Sequence, residues 1–292
     1  MSRNNLMIRT LLKWVKARTM LARSFRDPPR NTGSLDLKKF KASLQPQAWD
    51  VDGFKVVTLS GKPDAKVHVI FLHGGAYILE ANPFHRQFAQ KLAGEHGLSV
   101  SLVDYPKSPE HSFRTTHATL NKTYIELRQR HPDQEICLLG DSAGGGLALA
   151  FLQSLRDQGV TPLPPRTSLI SPWLDISMSH PQVPKYKERD YILALEGLDY
   201  AAEIYSGSED LLQPLLSPLF GDLSGLGQIQ LIFGSEEIFF PDCRTLIEKI
   251  QNTPGTEVVW EVGEGLIHDW PIFPFPESRA ITNNIAHFLL AG

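Results

Sequence analysis

Cysteine is scarce in this sequence: 292 residues hold two, Cys137 and Cys243. That excludes a disulfide framework and points to a reducing, cytoplasmic compartment. Cys137 reads as a core thiol in a strand and Cys243 as a thiol at a helix start. No stretch reaches the ~18 apolar residues of a membrane span, so stable membrane insertion is not expected. No charge sign dominates either. The formal net charge of −3 argues against nucleic acid as a partner. The ten histidines contain no His-Glu-x-x-His pair and no other ligand spacing, so neither metal nor cofactor is expected. Internal repeats and low-complexity tracts are missing too, which leaves one large core or one domain with a lid.

One local absence is informative. The first 26 residues carry seven basic residues from Arg3 to Arg26 and no acid. Ile8, Leu11, Leu12 and Val15 recur at helical spacing, with Arg9, Lys13 and Lys16 between them. A transit peptide, a membrane-surface anchor and a cap helix all fit this pattern.

What is present is more specific. The apolar run 136–139 leads into Gly140-Asp141-Ser142-Ala143-Gly144, and a small-residue helical run follows. This is the layout of a nucleophile elbow, in which a strand turns sharply into a helix with serine at the apex. The helix start directs N–H groups and a positive dipole end toward an oxyanion formed at Ser142. By composition alone roughly one chain in ten carries Gly-x-Ser-x-Gly, so the context has to decide.

The context agrees. His73-Gly74-Gly75-Ala76-Tyr77 follows the strand-like Val67–Leu72. In elbow hydrolases such a loop donates to the oxyanion hole, here through the amides of Gly75, Ala76 and Ala143. Alanine can serve at the third position if its φ stays negative. Gly234-Ser235-Glu236-Glu237 and Gly265-Leu266-Ile267-His268-Asp269-Trp270 each lie past a strand-like run. Strand ends are where open α/β sheets bind ligands, and Ser, acid, His is the expected chain order. Strands near 67–72, 98–104, 136–139, 167–170, 229–233 and 257–262 alternate with helices, and 54–59 reads as an edge strand. This alternation predicts a mostly parallel sheet with helices on both faces. Residues 35–44 suggest a short helix, and 177–227 breaks the alternation as an insertion.

These stretches resemble the hormone-sensitive-lipase-like branch of the α/β-hydrolase superfamily. Three more segments carry the resemblance: Asp104-Tyr105-Pro106-Lys107-Ser108-Pro109-Glu110-His111, Ser171-Pro172-Trp173-Leu174-Asp175, and Leu216-Ser217-Pro218-Leu219. The resemblance implies an α/β-hydrolase fold with a helical cap. Residues 1–50 would supply cap helices, and 51–292 a catalytic domain carrying the 177–227 cap insertion. It places the catalytic acid at Glu237 by alignment on Gly234, with Glu236 and Asp242 as rivals. Asp141 is read as structural, tying the elbow to a neighbouring loop.

The implied activity is a serine carboxylesterase acting on short- to medium-chain esters through an acyl-enzyme. Ser142 attacks, His268 moves the proton and Glu237 holds the imidazole. Tyr77, Trp173, Phe239 and Trp270 are candidates for an apolar substrate pocket, or for core. The partner is a small-molecule ester, and a homodimer is compatible with this reading. An amidase or formamidase with the same triad, and a non-catalytic binding protein of this fold, are the alternatives.

Overall fold

The computed structural model describes Leu12 and residues 16–291. Eight strands form one sheet in the order β1-β2-β4-β3-β5-β6-β7-β8. They are β1 (Gln47–Val51), β2 (Phe54–Ser60), β3 (Val67–Leu72), β4 (Ser99–Val103), β5 (Glu135–Asp141), β6 (Arg166–Ile170), β7 (Gly227–Gly234) and β8 (Thr256–Gly263). The two pairings of β2 are antiparallel, and every pairing from β4 to β8 is parallel.

The central strands are apolar throughout because both faces are covered. Along β3, Ile70 and Leu72 enter one core while Val69 and Phe71 enter the other. The first core takes Leu147, Phe151 and Leu155 from a helix at Ala143–Asp157, and Leu120 and Leu127 from one at Phe113–Arg130. The second takes Phe88 and Leu92 from a helix at Pro83–His96, and Ile281, Ile285 and Leu289 from one at Ser278–Leu290.

Two expectations fail. β2 is not at the edge, because β1 pairs outside it. The edge strand Gln-Ala-Trp-Asp-Val is largely exposed, so it lacks the apolar pattern that marks a strand. Residues 35–44 form two 3₁₀ turns, Leu37–Lys39 and Ala42–Leu44, because Phe40 and Lys41 are extended between them.

The 177–227 stretch holds a short helix at Val183–Tyr186, a longer one at Leu195–Ser206 and a turn at Pro218–Phe220. Its start and its later part meet at Asp175. That buried carboxylate accepts from Ser177 N (2.8 Å) and Oγ (2.5 Å) and from Ser179 N (3.0 Å) and Oγ (2.7 Å). Ser217 Oγ stands 3.5 Å from it and accepts from Ile176 N at 2.9 Å.

An amphipathic helix, Ala17–Arg26, packs on Leu195–Ser206. Phe25 joins Leu198 and Ala201 in the core, and the Arg26 guanidinium lies 4.5 Å from the centroid of the Tyr200 ring. Of the apolar stripe read from the sequence, Leu12 is half-buried against the second core. Ile8, Arg9, Leu11, Lys13 and Val15 fall outside the described residues. Among the described residues no helix is long and apolar enough to cross a membrane.

Candidate active site

Ser142 stands between the end of β5 and the helix Ala143–Asp157, at φ 52° and ψ −122°. This left-handed backbone is held on both sides. Ser142 N donates to Ile170 O (2.8 Å), and its carbonyl accepts from Trp173 N (2.9 Å) and Gly145 N (3.0 Å). The motif glycines permit two close approaches. A Cβ on Gly144 would meet Leu72 O at 2.0 Å, and one on Gly74 would meet Asp141 Oδ2 at 2.4 Å.

His268 follows β8 and Glu237 follows β7. The sheet order brings both to the carboxyl ends of the strands beside the elbow. His268 Nε2 is 3.0 Å from Ser142 Oγ, and Nδ1 is 3.0 Å from Glu237 Oε2. Phe239 presses edge-on against the imidazole, with centroids 5.2 Å apart.

The two rival acids are placed elsewhere. Glu236 pairs with Arg189. Asp242 is buried, and neither of its oxygens has a hydrogen-bond partner among the described residues. Burial and the nearby Asp175 push its carboxyl up to about 8.

Burial opposes a charged His268, but Asp269 and Glu237 outweigh it and hold the imidazole well above its usual range. Burial likewise raises the Glu237 carboxyl, against the lowering effect of its bond to His268.

Among the described residues, the amides of Gly75, Ala76 and Ala143 donate no hydrogen bond. They therefore keep their donors for a ligand. Contrary to expectation, Ala76 has a positive φ, 54°, and Tyr77 follows at 60°. Left-handed backbone costs an L-residue about 1–2 kcal/mol. The turn is closed by Ile78 N and Leu79 N, which donate to Gly75 O at 2.9 and 2.8 Å.

Asp141 ties the elbow to the helix Pro83–His96, through a 3.0 Å contact between Oδ2 and His85 Nε2. Asn82 N donates to His85 Nδ1, so the ring proton sits on Nε2 and is donated to Asp141. Three residues that support the oxyanion loop were not singled out from the sequence. Besides His85, Arg30 donates to Ile78 O (2.7 Å) and Ser108 O (2.6 Å). Glu80 accepts from Asn31 N and Thr32 N. They come from segments far apart in the chain, and no local spacing marks them.

The pocket assignment needs correction. Tyr77, Trp173, Phe239 and Trp270 are each 2% exposed or less. Tyr77 is stacked between Trp173 and Tyr205, with centroids 5.7 and 4.0 Å away. Trp270 belongs to the core on the other face of the sheet. All four are packing residues of the segments that follow β3, β6, β7 and β8, where their rings are buried.

The cavity above Ser142 measures about 200 Å³ and is lined by other apolar side chains, including Leu21, Phe25, Leu79, Leu193, Leu198 and Phe273. Leu21 and Phe25 lie one helical turn apart on the N-terminal helix, so the periodicity seen upstream continues to the cavity. The acidic side chains in the lining are Glu80, Asp141 and Asp269.

A mostly parallel sheet, a serine at a strand–helix turn and a histidine backed by a carboxylate together fit the α/β-hydrolase fold. The comparisons agree. The chain belongs to the alpha/beta hydrolase fold family, whose model matches residues 69–272. It is 36% identical over 211 residues to an acetyl-hydrolase of Streptomyces hygroscopicus, covering 70% of each chain. It is 29% identical to an esterase of Acinetobacter venetianus, covering 81% of this chain and 78% of that one. A solved esterase of the bacterial hormone-sensitive lipase family superposes with a TM-score of 0.79 at 28% identity, covering 92% of this chain and 94% of that one. A hormone-sensitive lipase from a metagenome library superposes at 0.84 with 25% identity, covering 98% of each.

Proposed function

We propose that the protein is a serine carboxylesterase for short- to medium-chain esters. The observation that carries this is the contact chain Ser142–His268–Glu237, with both links at 3.0 Å, beside three amides without partners among the described residues. His268 takes the Ser142 proton as Oγ attacks the ester carbon. The amides of Gly75, Ala76 and Ala143 receive the oxyanion, each donor contributing about 2.7–4 kcal/mol. His268 then protonates the departing alcohol, and water repeats the sequence to release the acid. Glu237 keeps Nε2 as the reacting nitrogen throughout. An amide substrate passes through the same type of intermediate, so an amidase is the second reading.

The small apolar cavity favours short acyl chains. A panel of p-nitrophenyl esters from about two to twelve carbons, with an aryl amide beside it, tests this, since each added methylene must find room worth ~0.8 kcal/mol. Activity should fall as the chain lengthens. Flat ester turnover, or faster amide turnover, would refute the assignment.

Leu21 and Phe25 line the cavity, so the N-terminal helix is proposed as part of its roof. Deleting residues 1–26 should reduce solubility and let longer esters react, while Ser142 still labels with a fluorophosphonate. A truncated enzyme with the parent's melting temperature and chain-length profile would instead favour a cleavable targeting segment.

The site in the cell is proposed as cytoplasmic, in keeping with two free, buried cysteines. The proposed assembly is a homodimer through β8. That strand ends the sheet, and Val259 and Trp260 on it are 54% and 43% exposed. Unpaired strand edges recruit partners. Trp260→Glu should shift sedimentation toward monomer, and a parent that sediments as monomer removes this assembly.

A further inference from the structure

Asp269, directly after the histidine, is used by none of these steps. Its Oδ2 lies 3.1 Å from His268 Nε2, the nitrogen that also faces Ser142 Oγ. Asp269 takes an uncommon backbone, φ 56°, and its N–H donates to Ser171 Oγ at 3.1 Å. Its Oδ1 is buried with no hydrogen-bond partner among the described residues. An orphaned carboxylate oxygen and a left-handed backbone both cost stability. The pair is at ion-pair distance, while the hydrogen bond of Nε2 runs to Ser142 Oγ. A proton on Nε2, which the Asp269 charge favours, occupies the lone pair that Ser142 requires.

We propose that Asp269 is a second positioning carboxylate on His268. It holds a proton at Nε2 in the resting enzyme and steadies the imidazolium that forms when Ser142 surrenders its own proton. The inference rests on the esterase reading of this site. Before attack, the Nε2 proton leaves to solvent and exposes the lone pair. The Ser142 proton then takes its place, and Asp269 faces the resulting cation.

The surroundings push in one direction. Glu237 holds Nδ1 from the loop after β7, and Asp190, bonded to the N–H groups of Ile192, Leu193 and Ile238, acts on the ring by its charge from the cap insertion. Asp141 acts on Asp269 from the end of β5. Ser142 and Ser171 present neutral hydroxyls, and the Cys243 thiol behind Glu237 is held protonated by burial. Among the described residues lining the cavity there is no lysine or arginine. Each of these carboxylates therefore favours a protonated ring. Burial, together with the Asp141 charge, lifts Asp269 itself to about 7 even though His268 opposes the rise.

The experiment follows the rate of fluorophosphonate labelling at Ser142 against pH in the full chain, in Asp269→Asn and in Asp269→Gly. Both replacements tolerate the positive φ, and glycine brings no amide to the ring. Labelling needs a neutral imidazole, so the rate rises with pH through the His268 titration. Removing a carboxylate at this distance should move that midpoint down by about 1 unit or more in both variants. The plateau above it should fall, because the imidazolium loses a partner. A merely structural lesion would lower the rate at every pH and leave the midpoint in place. A midpoint unmoved in both variants, with Ser142 still labelled, overturns the proposal. Absence of labelling at Ser142 in the parent overturns the esterase reading, and the proposal with it.

Discussion

Ser142→Ala is expected to lose up to about a millionfold in ester turnover, the scale set by removing a nucleophile that acts as one unit with its base. Its melting temperature should stay at the parent value. Among the described residues the Ser142 hydroxyl bonds only to His268 Nε2, and the backbone at the elbow is fixed by its own N–H and carbonyl. Alanine retains the Cβ that already accepts the φ of 52°. Nor does the change orphan the imidazole, since Asp269 remains 3.1 Å from Nε2. Turnover of p-nitrophenyl butyrate and fluorophosphonate labelling are the readouts. Activity close to the parent's, or labelling at another residue, would assign the nucleophile elsewhere.

Glu237→Gln should cost about 10⁴ in kcat, by analogy with an amide in place of a triad carboxylate. The reason is tautomeric. A glutamine amide can donate to Nδ1, which leaves the proton on Nε2 and removes the lone pair that Ser142 needs. Asp242→Asn is the control, because Asp242 makes no contact with His268 and should leave kcat near the parent value.

The same control has a stability signature. The Asp242 carboxyl is raised to about 8, so across the interval from its unfolded value to that pH the unfolded chain ionises it and the folded protein does not. Stability drawn from this group therefore falls as pH rises, by about 1.4 kcal/mol for each unit separating the two pKa values. Asp242→Asn removes that slope. It should match the parent near pH 4 and exceed it in melting temperature near pH 8. A reversed pair, with Asp242→Asn inactive and Glu237→Gln active, would show that Gly234 sets the wrong register.

Ser142 and His268 were legible because each sits in a short motif next to a strong apolar strand, and strand ends are where chain order turns into proximity. Glu237 was legible only through alignment on Gly234. By spacing alone Glu236 and Asp242 are equivalent to it, and it is the 3.0 Å contact with His268 Nδ1 that sets Glu237 apart. The pocket was misread for a related reason. Large aromatics beside motif residues suggested a lining, yet in the segments that follow the strands these rings are buried. The true lining draws on Leu21 and Phe25, more than a hundred residues from the elbow. Arg30, Glu80 and His85 were missed because hydrogen bonds between distant segments leave no period in a sequence. Asp269 was in view as His268's neighbour, but only the positive φ turns its carboxylate onto Nε2.

The clasp at Asp175 bears on how proteins of this kind diversify. It gathers Ser177 and Ser179 at the start of the insertion, with Ser217 of its later part 3.5 Å away, around one buried carboxylate. The sheet therefore meets the same closed junction however long the excursion between them is. Lengthening a loop whose ends are already joined costs only about 0.6 kcal/mol per doubling. Strand register on either side is insulated from the change. The stretch between these serines can thus be traded between relatives as a cassette, and substrate preference can drift while the reacting atoms keep their places.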